Sequence, residues 1–125
     1  MGCDIHIYPE KLTKGRWIYR PIFGNEEPRI YRLFGILAGV RDPEESPIAS
    51  PRGLPGNISE TTRAEADEWG PDMHTPSWLT LSELETRDWK FLRLWESIKY
   101  LIWGLEELSE SEDHKDVRIV FWFDN

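Results

Sequence analysis

Three stretches of the chain, at 3–8, 16–20 and 117–123, have residue patterns typical of β-strands, and this limits the fold more than any other feature. Alternation with a period of two is typical of strands that bury one face. In the first stretch it turns Cys3, Ile5 and Ile7 toward the core. Gly15 lies between the first two stretches and predicts a hairpin turn. Pro9 should end the first strand or confine it to a sheet edge, because proline donates no hydrogen bond.

Helical spacing of apolar residues appears in two places. Steps of three and four from Phe91 to Leu108 predict a long amphipathic helix over 88–109. The same spacing predicts a shorter helix over 30–38 that ends at Gly39. Because helices and strands do not alternate, the pattern favours an α+β fold. We expect a small antiparallel sheet, made of the N-terminal hairpin and the C-terminal strand, packed against one long and one or two short helices.

Prolines and glycines interrupt residues 41–60 and leave no room there for a helix or a central strand. The residues concerned are Pro43, Pro47, Pro51, Gly53, Pro55 and Gly56. Irregular connections of this length are usually functional or disordered. A second loop is expected at 70–76. The whole chain of 125 residues has the length of one domain, so we expect a single domain over 1–125 with a Pro/Gly-rich loop at 41–60.

The charge of the chain is uneven. Residues 1–60 hold 8 acidic and 8 basic side chains, whereas 61–125 hold 15 and 7, so the net charge of −8 belongs to the second half. Proteins that bind nucleic acid need a basic surface, so we expect no direct nucleic-acid partner. No apolar run is long enough for a membrane span, and no secretory signal is seen. Cys3 is the single cysteine, so a cytoplasmic protein without disulfides is expected.

A repeated triplet, Asp4-Ile5-His6 and Asp72-Met73-His74, carries the most suggestive chemistry. Positions i and i+2 of a strand share a face, so an aspartate and a histidine so spaced can enter one pocket. If the two triplets meet, their carboxylates and imidazoles would suit a divalent metal and its bound water. The same residues also suit a solvated strand face and a turn cap at Asp72. Both interpretations stay open.

Arg52 lies in the loop sequence Ser-Pro-Arg-Gly-Leu-Pro-Gly at 50–56. Prolines stiffen such a loop and glycines let a ligand come close. A guanidinium there can hold a phosphate or a carboxylate with two hydrogen bonds. The loop lacks the Gly-Lys-Ser/Thr ending of a phosphate-binding P-loop. The other interpretation is a rigid surface loop whose arginine pairs with a carboxylate of the protein. Trp78 is a candidate for stacking on an aromatic ligand.

The chain resembles a family of small proteins encoded by phages and prophages. The similar blocks are 1–6, 32–41, 51–55 and 69–81, which are distributed over roughly residues 1–85. The family usually has an aspartate where this chain has Asn57. The resemblance implies a small protein acting in the cytoplasm of an infected bacterium. It also supports the two triplets and Arg52 as site candidates, but it supplies no reaction.

Three functions remain open, and with them whether the protein is an enzyme. The first is a counter-defence protein that binds a phosphorylated small molecule, such as a nucleotide signal. Its single pocket would be lined by Asp4, His6, Arg52, Asp72, His74 and Trp78. The second is a metal-dependent hydrolase that uses Asp4, His6, Asp72 and His74 as ligands. The third is an acidic inhibitor of a host defence nuclease. The 88–109 helix would serve the core or join two copies.

Overall fold

A computed structural model describes residues 2–22, 28–42 and 44–125, and Pro43 of the predicted loop lies outside them. Four strands form one antiparallel sheet in the order β2-β1-β4-β3. They are β1 Asp4–Thr13, β2 Arg16–Tyr19, β3 Met73–Thr80 and β4 Val117–Asp124. The α+β class, the N-terminal hairpin and the C-terminal strand are therefore as predicted.

Helices cover the sheet on both faces. They are α1 Tyr31–Ala38, α2 Glu60–Trp69, α3 Leu81–Leu84 and α4 Trp95–Leu108. The larger cluster joins Ile5, Ile7 and Phe121 to apolar side chains of α1 and α4. The smaller cluster joins Val120 and Trp122 to Ala66 of α2. We call these the α1/α4 face and the α2 face. None of the helices described is long and apolar enough to cross a membrane.

The central position of β4 explains why its alternation is only partial. Val117, Ile119, Phe121 and Phe123 face α1 and α4, as the period of two predicts. Val120 and Trp122 are equally buried, because α2 covers the other face. A strand buried on both faces loses the polar alternation that marks a strand with one solvated face.

Pro9 does not end β1, so the predicted strand end was wrong, but the ladder with β2 begins only at Glu10, so β1 pairs with β4 alone at this position. Pro9 pairs with Ile119 of β4 in the middle of a strand of 10 residues. Within a strand, the nitrogen and the carbonyl of one residue point to the same side. The Pro9 carbonyl accepts from Arg20 N at 2.9 Å, just after β2 ends. The missing N–H therefore faces the end of β2, and the ladder to β4 is intact.

Two further boundaries differ from the sequence predictions. Residues 73–76 belong to strand β3 and not to a loop, because a bulge between His74 and Ser77 accommodates Pro76. The long helix begins at Trp95, whereas the spacing predicted a start at 88. Residues 88–94 form turns that include Arg93 at φ 60°. Apolar spacing alone does not separate a helix from the turns that continue its buried face.

A buried ion pair joins β1 to β4 on the α2 face. Arg118 donates to Glu10 Oε1 from Nε at 2.9 Å and from Nη2 at 2.7 Å. The Arg118 and Glu10 side chains are 3% and 0% exposed. Glu10 Oε2 accepts from Ser59 N at 3.0 Å, and Asn57 Oδ1 accepts from Arg118 Nη1 at 3.1 Å. The pair therefore also attaches the end of the 41–60 loop and the first residue before α2 to the sheet.

Neutralising Glu10 should strongly destabilise the fold. Glu10→Gln leaves the buried Arg118 charge uncompensated, which typically costs about 3–5 kcal/mol. Glu110→Gln is the matched control, because Glu110 pairs with Lys11 but is 81% exposed, and it should cost under about 1 kcal/mol. Urea unfolding followed by circular dichroism measures both. Equal losses of stability in the two variants would contradict the structural role given to the buried pair.

Candidate functional site

The two Asp-x-His triplets reach the same end of the sheet. Asp4 pairs in register with Asp124, and Met73 pairs with the same residue from the other side. An open cleft of about 520 Å³ lies at this end, and we call it the terminal cleft. Its lining residues are Trp69, Pro71, Asp72, Met73, His74, Asp124 and Asn125. Two triplets that are distant in the chain therefore lie at one end of the sheet.

Each histidine of the triplets has partners at this end. His6 Nε2 lies 2.5 Å from Asp124 Oδ2, and the His6 ring packs on Trp69 with centroids 4.2 Å apart. His74 Nε2 lies 2.5 Å from Asn125 Oδ1, and its Nδ1 lies 2.9 Å from Thr75 Oγ1. These contacts hold the rings in place through the protein's own side chains.

The register puts the two imidazoles on opposite faces of the sheet. His6 is paired with Trp122, which packs on the α2 face. His74 is paired with Phe123, which packs on the α1/α4 face, and the two rings stack with centroids 6.0 Å apart. Because β4 runs between β1 and β3, the two histidine backbones are also about 10 Å apart.

The proposed metal ligands are consequently not assembled. Asp4 is exposed, and its Oδ1 lies 3.3 Å from Arg29 Nε. Asp72 is exposed in the lining of the terminal cleft. Nowhere in the described ranges are three His, Cys, Asp or Glu side chains placed to hold a metal ion. The set Asp4, His6, Asp72 and His74 was therefore wrong as a preformed metal site.

Arg52 and Trp78 lie at the other end of the α2 face. They line a second open cleft, of about 580 Å³, which we call the arginine cleft. Its remaining lining residues are Trp17, Leu54, Pro55, Gly56, Asn57, Thr80, Lys115 and Arg118. Trp78 is opposite Val120 and Asp4 is opposite Asp124. Four residues of strand separate these rows by about 13 Å, so the single pocket predicted for all six candidates is not formed.

Backbone contacts place the Arg52 loop along the outer side of β3. Arg52 N donates to Ser77 Oγ at 3.1 Å, and Gly53 N donates to the Pro76 carbonyl at 2.9 Å. Gly53 adopts φ 78°, which glycine reaches without strain. Since β3 is an edge strand, the loop also covers part of a backbone that would otherwise be open to pairing.

The Arg52 side chain is held by Glu83 and Trp78. Nη1 donates to Glu83 Oε1 at 2.8 Å and to the Trp78 carbonyl at 3.0 Å, and Nη2 donates to Glu83 Oε2 at 2.5 Å. The guanidinium carbon lies 4.3 Å from the centre of the Trp78 ring. The pairing with a carboxylate, left open by the sequence, is thus present. Glu83 also caps α3 by a capping box with Thr80.

The ion pair shifts the titration of both partners. The hydrogen bond from Arg52 lowers the pKa of the Glu83 carboxyl, and bonds from Thr80 act in the same direction. The hydrogen bond to Glu83 raises the pKa of Arg52. For the buried Arg118, desolvation dominates and lowers the pKa, although its bonds to Glu10 oppose this. Arg52 and Arg118 therefore differ in environment, one partly open to solvent and the other enclosed.

The sequence did not single out Arg118, Asn57 or Lys115 of the arginine cleft as ligand-binding residues. Arg118 interrupts an apolar strand, and a charge buried there requires a partner, which was the available signal. The Arg118 guanidinium carbon lies 3.9 Å from the Trp17 ring centre. Asn57 accepts from Arg118, whereas Lys115 is exposed beside them. The resemblance marked position 57 only as the place of an aspartate, and no pattern in the sequence marks Lys115. Only the fold brings the hairpin, the loop and β4 together.

Searches with the chain find no matching family model, no matching curated protein and no matching solved structure.

The Arg52–Glu83 pair predicts a pH-dependent coupling. Folding lowers the pKa of Glu83. The pair therefore stabilises the fold at pH values above the pKa that Glu83 has in the unfolded chain, and it loses this effect as pH falls through the lowered pKa of the folded state. A double-mutant cycle with Arg52→Gln and Glu83→Gln should give an interaction free energy of about 1 kcal/mol at neutral pH, and a clearly smaller one in acid. Urea titrations across pH supply the four free energies of unfolding.

The ion pair of His114 with Glu85 serves as a comparison, because its stabilising effect should depend on pH in the opposite direction. The hydrogen bond to Glu85 raises the pKa of His114, so this pair stabilises the fold below the unfolded-state pKa and loses its effect as pH rises through the raised value. A cycle with His114→Gln and Glu85→Gln should therefore show coupling at mildly acidic pH and lose it in alkali. If the Arg52–Glu83 coupling followed this second profile, its assignment to Glu83 ionisation would be wrong.

Proposed function

We propose that the protein binds a phosphorylated small molecule, such as a nucleotide, in the arginine cleft. The observation that carries the proposal is the way Glu83 holds Arg52 against Trp78 while part of its guanidinium remains available. The proposal keeps the binding hypothesis drawn from the sequence but restricts it to Arg52 and Trp78 among the six candidates. Among the triplet residues, Asp72 and His74 line the terminal cleft, and none lines the arginine cleft.

The hydrogen bonds of Arg52 leave donors for a ligand. A guanidinium has five N–H groups. Three N–H groups of Arg52 donate hydrogen bonds to Glu83 and to the Trp78 carbonyl. Within the described part of the chain, Nε–H and one hydrogen of Nη2 make no hydrogen bond. Two adjacent donors of this kind match the oxygens of a phosphate, and their orientation is set before the ligand arrives.

Two further side chains suit such a ligand. Lys115 lines the cleft and is exposed, so it supplies a second positive charge for the phosphate. Trp17 and Trp78 line the same cleft and are partly exposed. Flat aromatic groups stack on indole rings, and the contact is worth about 1–3 kcal/mol for a nucleobase. The cleft volume of about 580 Å³ lies within the range usual for small-molecule sites.

The net charge of −8 does not oppose this assignment. Charges separated by more than a Debye length, about 8–10 Å in physiological salt, are largely screened, so the local charges decide. In the arginine cleft Glu10 compensates Arg118 and Glu83 compensates Arg52, whereas Lys115 forms no ion pair with any residue described. The cleft lining is therefore locally cationic, although the protein as a whole is acidic.

The phage setting rests on the resemblance of the sequence alone. In that setting, a protein that binds a nucleotide without consuming it would lower the free concentration of a host defence signal. The metal-dependent hydrolase gains no support, because no described group of His, Cys, Asp or Glu side chains is placed to hold a metal ion.

A panel of small molecules tests the proposal. Isothermal titration with a nucleoside monophosphate, the matching nucleoside, ribose 5-phosphate and inorganic phosphate should show binding that needs the phosphate and improves with the base. Arg52→Gln should weaken binding of the monophosphate by on the order of 10- to 100-fold, since hydrogen bonds to charged groups contribute about 1.5–3 kcal/mol. Lys115→Gln should weaken it less.

The matched control is Arg63→Gln, because Arg63 is an exposed arginine on α2 outside both clefts. It should leave the affinity for the monophosphate unchanged. Unfolding curves show whether each variant remains folded. Binding that is equally tight in the Arg52 and Arg63 variants, or equally tight for the nucleoside without phosphate, would refute the assignment.

A further inference from the structure

The outer face of α4 carries aromatic side chains that the fold does not use. Ile98, Leu101, Ile102 and Leu105 point into the core. On the opposite side, Tyr100 is 49% exposed and Trp103 is 48% exposed. Large exposed aromatics beside a groove are typical of protein-binding surfaces. Neither the arginine cleft nor the terminal cleft includes these residues.

A groove runs beside the two aromatic rings. It lies between α4 and the connection that follows β2, has a volume of about 600 Å³, and includes Tyr100, Trp103 and Glu107 in its lining. Its floor is formed where Ile22 approaches Gly104. A side-chain carbon at position 104 would lie 2.8 Å from Ile22 Cδ1, so only glycine allows this approach. We call the groove and the exposed side of α4 the α4 face.

The charge around this face is strongly negative. Residues 95–113 contain six carboxylates and a single cationic side chain, Lys99. Glu96 pairs with Lys99, and Glu110 pairs with Lys11. Glu106 and Glu107 form no ion pair with any residue that the structure describes. They lie in the last turn of α4, which contains no basic residue and where negative charge disfavours the helix by a few tenths of a kcal/mol or more.

The aromatic rings already attract a cation. Lys99 Nζ lies 5.2 Å from the Tyr100 ring centre and 5.9 Å from the Trp103 ring centre. A cation over an indole or phenol ring is stabilised by the ring's negative face. Arginine makes this contact more often than lysine and also pairs with carboxylates through two hydrogen bonds. A partner arginine that covers Trp103 could thus also reach Glu107.

We infer that the α4 face binds a basic, arginine-bearing segment of another protein. Trp103 and Tyr100 provide the apolar centre of the contact, and Glu106 and Glu107 provide its acidic rim. A second copy of this chain is a poorer occupant, because it would bring the same excess of carboxylates to the contact and like charges repel. A basic partner would have to avoid two described cations, Arg20 in the groove lining and Lys99 beside the Tyr100 and Trp103 rings.

This inference is independent of the proposed small-molecule site. It concerns the opposite side of the sheet and different side chains, so loss of Arg52 should not change it. It also narrows the acidic-inhibitor hypothesis drawn from the sequence. The contact would depend on two aromatic residues and the last turn of α4, and not on the overall charge alone.

The test uses a synthetic helical peptide with arginines and leucines on one face. A matched peptide carries glutamates in place of the arginines. Fluorescence anisotropy with the full chain should show binding of the basic peptide only, and the binding should weaken with added salt. Trp103→Ala should weaken it by about tenfold or more, and Glu106→Lys combined with Glu107→Lys should weaken it and reduce its salt dependence.

Two control variants separate this surface from general effects. Phe91 is 82% exposed and lies outside the groove, so Phe91→Ala removes an exposed aromatic residue elsewhere. Glu65→Lys combined with Glu68→Lys makes the same charge change on α2. Both controls should change the affinity less than about twofold. Equal weakening in the controls and the α4 variants would show a non-specific charge effect and overturn the inference.

The oligomeric state decides between a basic partner and a second copy. Sedimentation velocity of the chain alone should show a monomer at concentrations where the basic peptide binds. A dimer that dissociates in the Trp103→Ala variant would assign the α4 face to self-association and overturn the inference. Absence of basic-peptide binding to the wild-type chain, or equal binding of the acidic peptide, would overturn it as well.

Discussion

The buried ion pair between Glu10 and Arg118 joins parts of the chain that are far apart in sequence. It links β1 to β4, and through Ser59 and Asn57 it attaches the end of the 41–60 loop and the start of α2. Enclosing two charges is costly, and only good geometry and further hydrogen bonds offset the cost. Here both groups have several hydrogen bonds. The pair therefore makes the position of the loop depend on the sheet.

This dependence separates the structural arginine from the one available to a ligand. Arg118 is enclosed, packs against Trp17 and gives most of its donors to Glu10 and Asn57. Arg52 lies at the surface of the same cleft, where Glu83 orients it and leaves two donors open. A fixed scaffold with a partly open guanidinium is what anion binding requires, because orienting a flexible side chain upon binding costs free energy.

The structure also separates two groups of residues that one pocket had been expected to combine, and a third surface lies on α4. The terminal cleft includes His74 in its lining, the arginine cleft includes Arg52 and Trp78, and the α4 face carries the exposed aromatics with their acidic rim. The charge follows this division. The arginine cleft is locally cationic, whereas residues 95–113 hold much of the excess negative charge. A phosphorylated ligand and a basic protein would thus be recognised by different parts of the molecule.

Local patterns determined much of the fold. Strand-like residue patterns identified β1, β2 and β4, and helical spacing identified α1 and most of α4. Alternation at 3–8 placed Cys3, Ile5 and Ile7 in the core. The sequence also determined that Arg52 would occupy a stiff loop. The wrong predictions concern positions where neighbouring strands determine the structure. Pro9 is tolerated within β1 because β2 ends beside it, and β3 contains Pro76 because of a bulge.

Only the tertiary structure decided which chemistry-bearing residues meet. The strand register set His6 and His74 on opposite faces, and the bidentate bond to Glu83 determined the role of Arg52. The burial of Arg118 with Glu10 joined residues 108 positions apart. Periodicity reports which side of its own element a residue occupies, whereas contacts between distant elements depend on how those elements pack. The types of residue available for a site are thus read from the sequence, and their assembly is a property of the fold.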